Sequence, residues 1–139
     1  MSRSRNVRLI ETWYYRMWNQ WDKSAFEEIL TSDITFRGSL GQVKRGYEGL
    51  AEYMDFIYTA FPDFTNRIEE MISEGDKAFA RLTYTGTHEG EIFGVAPTHK
   101  EVKYAGAAVF CFDGEKIRGV WVLGDIYGLL CQLNERDGI

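Results

Sequence analysis

The sequence predicts one α+β domain over residues 1–139. Apolar residues at helical spacing fill the first half, long alternating strands follow Pro62, and no repeat, linker or low-complexity tract divides the chain. Val7, Ile10, Tyr14, Met17, Trp18 and Trp21 recur every three or four residues, which predicts helix one over 7–21. Asp22 or Ser24 is placed to cap a short helix two over 25–30, and Thr31, Ser32 and Asp33 are expected to stop it. The β-branched run Ile34-Thr35-Phe36 reads as a strand, with a second short piece at 42–44 between turn glycines. Helix three is predicted over 47–61, with Leu50, Met54, Ile57, Tyr58 and Phe61 on one side, Tyr53 and Phe56 spilling onto another, and Pro62 ending it. Turn signals at Glu74-Gly75-Asp76, 90–99 and Asp113-Gly114 divide the rest into antiparallel strands at about 65–73, 77–88, 101–112 and 116–123. A terminal helix carries Leu129, Leu130 and Leu133. Gly86 and Gly106, inside strands, predict bulges or bends that curl the sheet.

Composition narrows the function. A net charge of −5 offers no positive field to a phosphate backbone, so nucleic acid is not an expected partner. The basic start Ser2-Arg3-Ser4-Arg5 leads into no apolar signal region, and no stretch approaches the roughly 20 apolar residues of a membrane span. A cytoplasmic protein without membrane contact is expected. Cys111 and Cys131 have neither C-x-x-C nor zinc spacing, and no His-x-x-x-His or His-x-Glu grouping offers a metal site. No nucleophile elbow, P-loop or dinucleotide fingerprint is present. Aromatic residues, at 15% of the chain, exceed what closing a small core requires, and a pocket would use the surplus.

Strand alternation selects the candidates. It puts Ile117, Gly119, Trp121, Leu123 and Asp125 on one face, so that Asp125 falls among apolar neighbours whose desolvation would favour an acid/base role. The same Asp125 stands before Ile126-Tyr127-Gly128-Leu129, where it would equally serve as a helix N-cap. Ala78, Ala80, Leu82, Tyr84, Gly86 and His88 share a face, small residues followed by Tyr and His. His88 on that face would orient a carbonyl or move a proton, or would be a hydrogen-bonded strand end and nothing more. Val102, Tyr104, Gly106, Ala108, Phe110 and Phe112 supply an apolar wall whose direction the pattern leaves open. Trp13, Trp18 and Trp21 read as core packing.

The stretch from Gly86-Thr87-His88 through Gly94-Val95-Ala96-Pro97-Thr98, the hairpin Phe112-Asp113-Gly114-Glu115-Lys116-Ile117, and Trp121 four residues before Asp125 resemble the SnoaL-like polyketide cyclases. The resemblance extends over the N-terminal helices and the Phe61-Pro62-Asp63 break, essentially the whole chain. It implies a nuclear transport factor 2-like fold, a cone-shaped, curved antiparallel sheet wrapped around the N-terminal helices. It also implies a homodimer packed through the sheet and a reaction that needs no cofactor and no metal. Asp125 would be the acid/base that removes a proton beside a carbonyl, so that the enolate closes a ring by aldol addition. His88, Tyr84 and Trp121 would steady the enolate oxygen, and Tyr104, Phe110, Phe93 and Tyr58 would complete a pocket for a small apolar or polyketide-like molecule. The chain departs from the family pattern at His99, where Gly is usual, at Gly119, where Glu is common, and at Val109 and Cys111, where polar side chains are common. The expectation is a cyclase-like lyase or isomerase. The alternative is a noncatalytic binder or dimeric scaffold of the same fold, including one whose pocket is filled by its own aromatic rings.

Overall fold

The computed structural model describes residues 2–135. Helix α1 spans Ser2–Glu11 and continues into a π-helical stretch, Thr12–Trp18. The predicted helix therefore starts earlier and ends three residues sooner. The wider π turn lets Trp13, Tyr14, Met17 and Trp18 all bury, and Trp21, with φ +54°, falls outside it. Asp22 accepts the Ser24 backbone N–H at 3.0 Å and opens a 3₁₀ turn, Lys23–Ala25, that leads into α2, Phe26–Ile29. Strand β1, Leu30–Arg37, starts at once, so residues 31–33, expected to stop the helix, already lie in the sheet. Leu30 is fixed there by pairing with Ile117.

Strand β2 (Val43–Arg45), helix α3 (Gly46–Ala60), strands β3 (Thr65–Glu74), β4 (Lys77–Thr87), β5 (Glu101–Asp113) and β6 (Lys116–Gly124), and helix α4 (Ile126–Asn134) follow the predicted order. The six strands form one sheet in the order β2-β1-β6-β5-β4-β3. Every neighbouring pair is antiparallel except β1 and β6, which run parallel, a correction to the wholly antiparallel expectation. The core lies between this sheet and the helical layer of α1, its π extension and α3, with Ile10, Trp13, Met17, Leu50, Met54, Ile57 and Phe61 against Phe36, Leu82, Phe110 and Ile117. Among the described residues no helix is long and apolar enough to cross a membrane.

Two expectations about the sheet change. Gly86 and Gly106 make no bulge, because β4 and β5 stay in register through both. They are flat sites for aromatic rings instead: a Cβ at Gly106 would come within 2.3 Å of the Tyr84 ring, and one at Gly86 within 3.1 Å of Phe61. The shifts in register occur between Ile68 and Glu70, between Cys111 and Phe112, and between Leu30 and Thr35 on β1. The second decides which way β6 faces. Phe112 pairs with Ile117 and Cys111 with Gly119, so Arg118 is the extra residue and the alternation inverts after it. Ile117, Val120 and Val122 point inward, while Trp121 and Leu123 point out.

Beyond Gly124, strand β5 keeps β4 but loses β6, and α4 takes over that edge. Gln132 donates from Nε2 to the Lys103 carbonyl (2.8 Å) and accepts the Lys103 N–H at Oε1 (2.9 Å), as a neighbouring strand would. Gln132→Ala is expected to cost about 1–2 kcal/mol and to raise the hydrogen-exchange rate of the Lys103 amide at least tenfold; an unchanged rate would count against this edge-covering role.

Candidate functional site

The interior cavity is bounded by the π-helical stretch, α3 and the inner face of the sheet. Trp13, Tyr14, Trp18, Phe36, Tyr53 and Tyr84 form its aromatic wall. Ser39 and Asn66 add polar groups. Its volume is about 30 Å³, room for about two water molecules. Rings occupy most of the space a ligand would need: Trp18 packs edge-on to Tyr53 at 6.1 Å and Tyr84 stacks on Phe64 at 5.6 Å.

Three phenols, Tyr14, Tyr53 and Tyr84, line the cavity, and a fourth, Tyr104, lies beside Tyr84 off its wall. Tyr84 and Tyr104 lie with ring centroids 5.0 Å apart. Tyr53 receives the Leu40 N–H at 3.3 Å and lies 3.5 Å from the Ser39 hydroxyl. The hydroxyls of Tyr14 and Tyr104 are buried with no hydrogen-bond partner among the described residues. Burial pushes all four phenols above the usual tyrosine range, which keeps them as O–H donors at neutral pH. Asn66, also buried, is held by Asn19: its backbone N–H and side-chain Nδ2 both donate to Asn19 Oδ1, at 2.8 and 3.0 Å.

The residues selected from sequence separate into two groups. Tyr84, Tyr104 and Phe110 are buried on the inner face; Tyr84 lines the cavity, and Phe110 packs edge-on to Trp13 at 5.9 Å as core. Trp121, Phe93 and Tyr58 are exposed. Trp121 stands on the outer face, 49% exposed, with the Arg37 guanidinium 4.9 Å from its ring centre. Phe93, at φ +53°, forms the tip of a tight turn closed by mutual backbone bonds between Ile92 and Val95. Tyr58 sits on the solvent side of α3 against Trp21, 4.7 Å between ring centres, and Tyr53 takes the inward place that the helical pattern gave to Tyr58.

Asp125 is exposed, and its Oδ1 accepts the Gly128 N–H at 2.9 Å as the N-cap of α4. Its expected apolar surroundings are absent because the β6 inversion turns Trp121 and Leu123 outward. Its backbone N–H donates to the Ala105 carbonyl, and a Cβ on the preceding Gly124 would meet Ser39, a residue of the cavity wall, and Tyr104.

His88 is fully buried at the end of β4 beside Phe61, off the cavity wall. Thr98 N–H donates to its Nδ1 at 3.1 Å, which puts the ring proton on Nε2, an atom without a partner among the described residues. Burial holds its pKa below the ordinary histidine value. The unfolded chain then takes up this proton first, so stability is full above about pH 6.5 and falls as pH drops below it. Between pH 8 and 5 the loss of Tm should be smaller in His88→Gln than in the parent, and equal losses would contradict the assignment.

Tyr53, Phe36, Ser39 and Asn66 were not singled out from the sequence as site residues, and Trp13 was read there as core packing alone. Among the described residues no three His, Cys, Asp or Glu side chains gather where they could hold a metal ion.

A sequence profile of the SnoaL-like polyketide cyclases matches residues 8–133. The chain belongs to that family. Solved structures agree in fold. A SnoaL-like protein from Jannaschia sp. CCS1 superposes with a TM-score of 0.86 at 18% identity, covering 96% of this chain and 94% of that one. TsrD from Streptomyces laurentii gives 0.85 at 23% identity, with 96% and 98% covered. AclR from Streptomyces galilaeus gives 0.80 at 25% identity, with 100% and 86% covered. Among curated protein sequences none matches. The fold is therefore that of the SnoaL-like, nuclear transport factor 2-like proteins, and cyclase-type function is the family's general one.

Proposed function

We propose that this SnoaL-like protein is a cofactor-independent lyase or isomerase of the cyclase type, acting on a small apolar, polyketide-like carbonyl compound. Asp125 removes the proton from a carbon beside a carbonyl, and a phenol hydroxyl donates to the oxygen on which negative charge develops. The enolate carbon then attacks a second carbonyl of the same molecule, and Asp125 returns its proton to the alkoxide. The observation that carries this reading is the buried, partnerless hydroxyl on Tyr14 and on Tyr104. Each costs the fold about 1–3 kcal/mol, a cost accounted for when a ligand oxygen accepts from it. Preorganised donors in a dry site are worth most where charge develops in the transition state. Lone thiols at Cys111 and Cys131 fit a reducing cytoplasm.

Tyr104→Phe separates the two consequences. It is expected to stabilise the protein by about 1–3 kcal/mol while slowing solvent-deuterium exchange at the acidic carbon of 2-tetralone, a bicyclic enolisable ketone, about tenfold or more. A variant less stable than the parent with undiminished exchange would refute the role. The second reading, a noncatalytic binder, draws on the exposed, capping Asp125 and the small cavity. It predicts binding of such ketones with no exchange at all.

For the partner, we propose a second copy of this chain on the outer sheet face. Ile72, Phe79, Val109, Trp121, Arg37 and Val43 pair in register as one row across all six strands. Ile72, Val109, Trp121, Leu123 and Val43 on that face are exposed. At one end β3 carries Glu74, with Glu69 and Glu70 already paired to Arg67 and Arg81, and at the other β1 and β2 carry Arg37 and Arg45. A two-fold axis along the strands brings those ends together. Trp121→Glu with Leu123→Asp should halve the mass seen by analytical ultracentrifugation; an unchanged mass would rule this interface out.

A further inference from the structure

The turn at 38–42 between β1 and β2 stands between the cavity and Gly124, the residue before Asp125. Its tip residue Ser39 lines the cavity on one side and meets Gly124 on the other, where a Cβ would approach Ser39 Cβ to 2.8 Å. The turn is closed upon itself, Gly41 N–H donating to the Gly38 carbonyl and Gly38 N–H to the Gln42 carbonyl, both at 3.0 Å. It is therefore a small rigid unit. At its base Arg37 Nη1 donates to the Val122 carbonyl. The tip is held to the body by Tyr53: Leu40 N–H donates to its hydroxyl at 3.3 Å, and Ser39 Oγ lies 3.5 Å away. Both contacts are long for hydrogen bonds. Gly38 is required here because a Cβ would fall 2.3 Å from the Tyr53 ring, and Gly41 sits at φ +94°. The turn ends in β2, an edge strand of three residues with Val43 largely exposed, so its hold on the body is confined to Leu40, half-buried against the core, and the two long contacts to Tyr53.

We propose that the turn at 38–42 is a lid, latched by the Tyr53 hydroxyl, that swings away from Gly124 and joins the interior cavity to Asp125 in one compartment. The inference rests on the proposed function and explains how an exposed carboxylate reaches a molecule held among buried phenols. Opening also removes Ser39 from the cavity wall, which a bicyclic ligand requires of a cavity of about 30 Å³.

Ser39→Cys with Gly124→Cys, in a background of Cys111→Ser and Cys131→Ser, locks the lid by a disulfide after an outward shift of about 1 Å to the usual Cβ separation. The comparison is between oxidised and reduced forms of one protein, with entry of 2-naphthol followed by quenching of tryptophan fluorescence. Association is expected to be at least tenfold slower in the oxidised form and restored by reductant. Equal rates in the two forms, or no 2-naphthol uptake by the reduced form, would overturn the lid. Should the locked variant not fold, Tyr53→Phe tests the latch directly: the Leu40 amide should exchange about tenfold faster than in the parent, and an unchanged rate would overturn the proposal. Because 2-naphthol undergoes no reaction here, these outcomes are independent of turnover. Absence of deuterium exchange into 2-tetralone would defeat the proposed function and leave a lidded binding protein.

Discussion

Trp13→Ala is expected to lower the unfolding free energy by about 3–5 kcal/mol and Tm by about 10–20 °C. Trp13 is 1% exposed and stands where the π-helical stretch meets the sheet, with ring centroids 5.7 Å from Phe36, 5.9 Å from Phe110 and 6.5 Å from Tyr14. Removing the indole deletes contacts to both layers, and a closely packed aromatic core does not collapse to fill the gap. Part of that space adjoins the cavity, so the surviving folded fraction should bind 2-naphthol more tightly than the parent. Denaturant unfolding with a parallel binding titration checks both. A loss below about 1 kcal/mol would mean that the wall is not built around Trp13.

Asp125→Asn is expected to leave the fold intact and slow enolisation by about 10²–10⁴-fold, the usual contribution of a positioned acid/base. The two roles of Asp125 separate because asparagine caps a helix about as well as aspartate, so the Gly128 N–H keeps its acceptor. A thermal melt within about 2–3 °C of the parent together with lost exchange is the expected pair of results; Asp125→Ala should lose both the cap and the exchange. Unchanged exchange in Asp125→Asn would assign the residue to the cap alone and favour the binder.

Much of this architecture was legible in the sequence because it rests on local chemistry. Pro62 ends α3, Gly75 and Gly114 turn the hairpins with positive φ, and the alternation along β4 and β5 groups Tyr84 with one face of its strand and Tyr104 with one face of the next, which the pairing of the two strands then brings together. What was not legible depends on distant partners. Alternation along β6 is broken by a bulge opposite Cys111, which nothing within 116–125 announces, and that one extra residue sent Trp121 outward and left Asp125 in solvent. The π winding over Thr12–Trp18 is likewise a product of packing; the sequence read Trp13 as core but gave no sign of the winding that turns it and Tyr14 inward together. On α3 the spacing did not distinguish Tyr53 from Tyr58; Gly38, which leaves room for the Tyr53 ring, decides between them. The helix-capping role of Asp125 could be read from Ile126-Tyr127-Gly128 alone, because capping is local.

The central claim is that Asp125 transfers a proton to and from a carbonyl compound held against the interior phenols. Its most direct test is the rate at which the protein exchanges the acidic carbon protons of 2-tetralone for deuterium, measured by NMR for the parent and Asp125→Asn at equal fractional occupancy. Exchange well above the buffer rate is expected in the parent, with a fall of at least about a hundredfold in Asp125→Asn. Equal rates in the two proteins, or a parent no faster than buffer, would contradict it.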